Sequence, residues 1–166
     1  FRDNTAKEQG GAIYMGGGSA DNQSTPSFVS CTIISNDVIS TSDDFLSGYG
    51  GGFSSTDNMR PAFVDCQIDS NAVVAGRYSG FGGGGNINAS NGGAVTTFTR
   101  CTFRSNTVTP NQDAFGGALY AEGEIELTNC LISENSSVGG GSDFEGKGGG
   151  IYSLLYEDYS SESKII

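Results

Sequence analysis

Large apolar residues recur along this chain in one short pattern repeated at long intervals. Each of four cysteines, Cys31, Cys66, Cys101 and Cys130, has an apolar residue three positions before it: Phe28, Phe63, Phe98 or Leu127. Two positions after each cysteine stands Ile33, Ile68, Phe103 or Ile132, and three further on Asn36, Asn71, Asn106 or Asn135. A valine follows two after the asparagine at Val38, Val73 and Val108, and the fourth copy reads as a slip to Val138. Strand alternation places Cys and Ile on one face, with Thr32, Gln67, Thr102 or Leu131 on the other. The odd spacing from the preceding Phe to Cys requires a corner between them, at Ser30, Asp65, Arg100 and Asn129.

Between these copies lies a second block, Gly-Gly-[Ala/Gly]-apolar, read at Gly10–Ile13, Gly50–Phe53, Gly92–Val95, Gly116–Leu119 and Gly148–Ile151. The Cys-to-Cys intervals are 35, 35 and 29 residues, in the range of solenoids and stacked arrays. Length varies in two segments only: 6 to 21 residues from Asn to the next Gly-Gly, and 6 to 18 from that block to the next Cys. Constant blocks joined by elastic Gly/Ser/Asn/Asp-rich stretches are strands joined by surface loops. A β-propeller blade usually keeps its length, so the variation favours a solenoid.

The expected fold is all-β, a single-stranded parallel β-helix of about five to six coils. Stacking places like residues about 4.8 Å apart, so Asn4, Asn36, Asn71, Asn106 and Asn135 form one ladder at a bend, where an amide bonds to backbone and to its neighbours above and below. Residues 1–166 form one domain, and 154–166, without a glycine block, is either a cap or the start of a further coil. Phe1-Arg2-Asp3-Asn4 aligns with Phe103-Arg104-Ser105-Asn106, so the chain starts mid-repeat and reads as a piece of a longer or processed protein.

The pairing of FRDN (1–4) and FRSN (103–106) with GGAIY (10–14) and GGALY (116–120) resembles the repeats of polymorphic outer-membrane proteins and related adhesin-like surface proteins. The resemblance covers nearly the whole chain; it departs where Ile replaces Phe and where Ala becomes Gly. It implies a right-handed β-helix, in line with the general rule for parallel crossovers, and implies nothing by itself about chemistry.

Composition narrows the functions. The net charge is −11, from 19 acidic and 8 basic residues, and there is no histidine. Nucleic acid and anionic membrane surfaces are therefore excluded as expected partners, since both need clustered Lys and Arg. No apolar run approaches the roughly 20 residues that span a bilayer.

The four cysteines lack the paired spacing of a zinc site. Two readings stay open for them: small buried free thiols, or inter-coil disulfides whose in-register side chains are poorly directed for the required dihedral. Acidic loops such as Ser42-Asp43-Asp44 and Ser142-Asp143-Phe144-Glu145 offer oxygens to Ca²⁺, but serve equally as solvated turns. Hence no catalytic residue, metal or cofactor is assigned. Tyr14, Tyr120 and Tyr152 share one phase of the glycine block, with Ser54 and Thr96 in the other coils; such a stripe either stacks on sugars or simply suits an exposed strand.

Three sequons, at Asn22, Asn88 and Asn135, fit the N-glycosylation pattern, although burial of Asn135 in the ladder would block a glycan there. The expected function is a non-enzymatic extracellular or cell-surface rod that displays loops to glycans or surface receptors, or self-associates end to end into fibres. The alternative is a polysaccharide-binding or polysaccharide-cleaving β-helix, with a groove lined by carboxylates from successive coils.

Overall fold

The computed structural model describes residues 1–17, 24–41, 46–57, 59–75, 77–89 and 95–154. All regular structure among them is β, and all pairing between named strands is parallel. The strands stack into five narrow sheets that run along one axis, as in a β-solenoid.

The first sheet follows the glycine block: Ile13–Met15, Phe53–Thr56, Gly85–Asn88, Leu119–Glu122 and Ile151–Leu154. The second carries the apolar ladder, in Ser27–Val29, Ala62–Val64, Val95–Thr99 and Glu124–Thr128. The third follows the cysteines, in Thr32–Ile34, Gln67–Asp69, Thr102–Arg104 and Leu131–Ser133. The fourth follows the asparagines, in Thr5–Ala6, Asp37–Ser40, Ala72–Ala75, Thr107–Val108 and Ser136–Ser137. The fifth precedes the glycine block, in Gly48–Tyr49, Gly80–Phe81, Ala114–Phe115 and Gly146–Lys147. Sheets of four or five strands amount to about four turns, close to the expected coil count.

Corners are set by the backbone. The corner expected between the apolar residue and Cys is present: Ser30, Asp65, Arg100 and Asn129 all adopt φ of 51–54°. A second corner turns at Asp3, Ser35, Ser70, Ser105 and Glu134, with φ of 53–59°. The left-handed residue is thus the one before each ladder asparagine rather than the asparagine itself. A third corner is the glycine block, whose first Gly takes φ of +61 to +67° at Gly10, Gly50, Gly82, Gly116 and Gly148. The second Gly lies against the backbone of neighbouring strands: a Cβ at Gly51 would stand 2.4 Å from the Gly83 carbonyl oxygen. Only glycine satisfies both positions without strain.

Two readings of phase are corrected by the strand register. Gly85 pairs with Phe53 and with Leu119, so the third-coil block is Gly82–Gly85 and not Gly92–Val95. Val95 instead opens the strand that pairs with Glu124, while Gly92, Gly93 and Ala94 lie outside the described residues. The run of four glycines hid the block because its apolar fourth position is itself Gly. There a Cβ on Gly85 would lie 2.1 Å from Cζ of Phe53, whose ring already fills that space. Likewise the fourth copy does not slip to Val138: Ser137 pairs with Val108, and Val138 is exposed.

Inside the coils, Phe28, Phe63 and Phe98 stack face to face at 4.8 and 5.0 Å, and Leu127 continues the column. Ile33, Ile68 and Phe103 are fully buried beside it, with Ile132 packed against the same cluster. Val38, Val73 and Val108 form a smaller cluster under the fourth sheet. Apolar area removed from water along two continuous columns is the main favourable contribution.

Candidate functional site

Every ladder asparagine stands at the start of a fourth-sheet strand, and Asn36, Asn71 and Asn106 are fully buried. The Oδ1 of Asn71 accepts both the backbone N–H of Asn36, at 3.0 Å, and its Nδ2–H, at 2.9 Å. Asn106 receives the same pair from Asn71 at 3.0 and 3.0 Å, and Asn135 from Asn106 at 2.9 and 2.9 Å. The remaining Nδ2–H donates to the coil on the other side, from Asn71 to the Ile33 carbonyl at 3.0 Å and from Asn106 to that of Ile68 at 2.8 Å. Each amide therefore ties its coil to both neighbours. Asn4, at the exposed end, donates to Asn36 Oδ1 at 2.9 Å.

All four cysteines are free thiols, and they stack as one column. Cys66 donates weakly to the Phe28 and Val64 carbonyls, each at 3.3 Å; Cys101 lies against those of Phe63 and Thr99. Burial pushes the Cys66 thiol up and the Cys101 thiol up to about 11, so neither is an activated nucleophile. Among the described residues, no group of three or more His, Cys, Asp or Glu is placed to hold a metal ion.

Charge meets charge at the corners. Arg100 grips Asp65 through Nε at 2.6 Å and a second nitrogen at 2.8 Å, and Arg104 grips Glu134 at 3.0 Å. The guanidinium beside each carboxylate holds Asp65 and Glu134 below the usual carboxylate range. Asp69 moves the other way, pushed up by burial, and its Oδ1 has no hydrogen-bond partner.

The sequons fall in different settings. Asn22 and the Ser42-Asp43-Asp44 loop lie outside the described residues, as do residues 155–166 of the expected cap. Asn88 ends a first-sheet strand and is half-buried. The Nδ2 of Asn135 donates at 2.9 Å to the carbonyls of both Phe103 and Ser133, so a glycan there would break the ladder.

Residues 1–16 match the family model of the Chlamydia polymorphic membrane protein repeat. The matched stretch holds one asparagine corner, one fourth-sheet strand and one glycine corner. In register, this matched stretch lies over the segment that begins at Ile33, which in turn stacks with those that begin at Ile68, Phe103 and Ile132. No curated protein and no solved structure matches the chain.

One face was only half seen in the sequence. The register aligns Tyr14, Ser54, Asn86, Tyr120 and Tyr152 along the first sheet, so Asn86 and not Thr96 occupies the third rung. Thr96 is buried in the second sheet beside Ile125. Facing this row across the glycine corner is a second aromatic column: Tyr49 stacks on Phe81 at 5.0 Å and Phe81 on Phe115 at 5.1 Å. Lys147 extends the column, with Nζ 5.5 Å from the Phe115 ring centre. Each of these residues directly precedes a Gly-Gly pair, a signal the misplaced third block concealed.

The two rows enclose a trough. Tyr120 packs edge-on to Phe81 at 4.9 Å and stacks on Tyr152 at 5.9 Å, which fills one end. At the other end lies a hollow of about 230 Å³, lined by Glu8, Gln9, Tyr49, Thr56, Asn86 and Asn88. A second hollow of about 450 Å³, beside Tyr14, shares Glu8 and Gln9 with the first.

Proposed function

We propose that this chain is a non-enzymatic structural and adhesive module of an extracellular or outer-membrane surface: a stiff rod that displays loops and outward rows to glycans or receptors. The observation that carries this reading is that the amide ladder and the apolar columns run through every coil. The interior is thereby committed to stacking, and recognition falls to the outward side chains and the variable loops. The repeat match at residues 1–16 supports a surface location, because the matched family is one of membrane proteins.

Purified protein coated on beads should bind cells, and soluble protein should compete that binding away. Beads that bind no better than albumin-coated ones would defeat the reading. End-to-end stacking into fibres belongs to the same proposal, because among the described residues the outermost strand of each sheet is paired on one side only, the kind of edge on which a further coil can stack. Electron micrographs showing only single particles at high concentration would remove it. A glycan at Asn22 or Asn88, seen by mass spectrometry of protein from a secretory host, would support a secreted route. The alternative of polysaccharide cleavage makes an opposite demand: turnover of acidic or neutral polysaccharides that is lost when groove carboxylates are replaced.

A further inference from the structure

The hollow beside Tyr49 contains an unmet bond. Asn86 is 2% exposed, yet its Oδ1 has no hydrogen-bond donor. Its Nδ2 is engaged, donating to Ser54 Oγ at 3.1 Å, and that hydroxyl donates in turn to Gln9 Oε1 at 3.5 Å. A buried amide oxygen without a donor is costly and uncommon in a settled fold. Asn86 lines the hollow, and the Asn χ2 torsion is broad, so a small turn of the amide presents the oxygen to an incoming hydroxyl.

The other wall is a ring. Phe81 stacks on one side of Tyr49, and no other aromatic ring of the described residues stacks on that tyrosine. Gln9 lies one rung before Tyr49 in register and supplies a second amide at the rim. Flat apolar surface, converging amides and a hydroxyl, in a trough of small-molecule size, form the chemistry of a polyol with one apolar face. Charge selects further: Glu8 borders both hollows and the chain carries −11, which disfavours acidic sugars.

We propose that the trough between the Tyr49 column and the Asn86 row is a binding site for an uncharged saccharide, which lays a sugar ring against Tyr49 and hydrogen-bonds to Asn86 and Gln9. This gives the adhesive reading a ligand class and rests on that reading only for where the ligand would be met. Asn88 also lines the hollow, so an N-linked glycan there would cover the site and the protein should be tested without one.

Chemical-shift titration of the isotope-labelled chain suits the question, because the Asn86 side-chain amide reports on the site itself. The probes are the methyl glycosides of glucose, galactose, mannose and N-acetylglucosamine, their linear tetrasaccharides, and tetragalacturonate as the acidic comparison. At least one uncharged probe should shift the Asn86 amide saturably. Tyr49→Leu, which keeps an apolar partner for Phe81, and Gln9→Ala should each weaken that binding by about tenfold, a loss the size of one good contact. Leu131→Ser, on the opposite sheet, should leave it unchanged.

No shift at Asn86 with any uncharged probe at millimolar concentration would overturn the proposal. So would full-strength binding by folded Tyr49→Leu, or tetragalacturonate binding at least as tightly. If no uncharged probe shifts Asn86 while wild-type beads adhere to cells, the trough is wrong and the display reading survives. If sugars bind at Asn86 while cells are ignored, the display reading alone fails.

Discussion

At Asn71 the hydrogen bonds of two neighbouring coils meet in a site closed to water. Truncation to alanine strands the Asn36 backbone N–H and amide without an acceptor and leaves the Ile33 carbonyl short of a donor. Each buried group left unpaired costs about 1–3 kcal/mol, so Asn71→Ala should lose about 3–5 kcal/mol, whereas Asn4→Ala, at the exposed end, should lose about 1 kcal/mol or less. Urea midpoints compare the two, and equal losses would show that the ladder does not act through burial. The thiol column gives a second residue-level prediction. The folded state holds the Cys101 proton more tightly than the unfolded chain does, raising the thiol from its ordinary 9.0 to about 11. The sign follows from linkage: this contribution to stability is complete below the ordinary thiol value and is lost as pH rises from there through about 11. Cys101→Ala should therefore flatten the decline in thermal midpoint across that window. Alkylation at mild alkaline pH should also label the half-exposed Cys31 and Cys130 before the buried Cys66 and Cys101. An unchanged alkaline limb in Cys101→Ala would assign it to other groups.

Among the elements, the first sheet is where packing replaces pattern. Phe53 and Gly85 are neighbours in register and share one volume, because the ring reaches the place where a Gly85 side chain would stand. Phe53 is itself held by Phe63 at 4.8 Å and by Phe98 at 6.1 Å, so it has little freedom to retreat. Gly85→Ala should cost about 1–3 kcal/mol through overpacking. Adding Phe53→Leu should make the pair lose less than the sum of the single changes, with a coupling of about 0.5–3 kcal/mol. Strict additivity in denaturant unfolding would mean that the two do not share space. The same pair explains what the sequence concealed. The alternation, the repeat interval and the corner parity all arise from the inward face, where burial constrains residue type, and they specified the parallel coil. At Gly85 the constraint is met by a neighbour's side chain, so the local pattern is absent there and the later Gly92-Gly93 pair carries it instead. The Tyr49, Phe81 and Phe115 column was missed for a related reason: its strands are two residues long, too short for any period to show. The tyrosine row was legible, but the Asn86 amide that gives it chemical meaning depended on the corrected register.

For the molecule as a whole, stability should be shared along the axis in the manner of a one-dimensional array. Each coil contacts chiefly the coil above and the coil below, through parallel ladders, amide bonds and stacked rings. Among the described residues a middle coil has both neighbours and an outer coil has one, so local opening should take least free energy in the outer described coils. Burial already follows this order. Ile68, Asn71 and Val73 are fully buried, while Ile132, Asn135, Ser137 and Ile151 are each partly open. Amide hydrogen exchange followed by mass spectrometry should therefore give a gradient, with peptides covering 67–75 and 102–108 slowest and those covering 131–137 and 146–154 fastest. Asn71→Ala should steepen the gradient by separating the coils on either side of it, and exchange in 102–108 should rise even though those residues are unaltered. If the protein joins copies end to end, raising its concentration should slow exchange selectively at the outer coils, where the new neighbour would sit, and leave the centre unchanged. Uniform protection across all coils, insensitive to Asn71→Ala, would mean that the solenoid opens as one cooperative unit and that coil-by-coil stacking is not how its stability is organised.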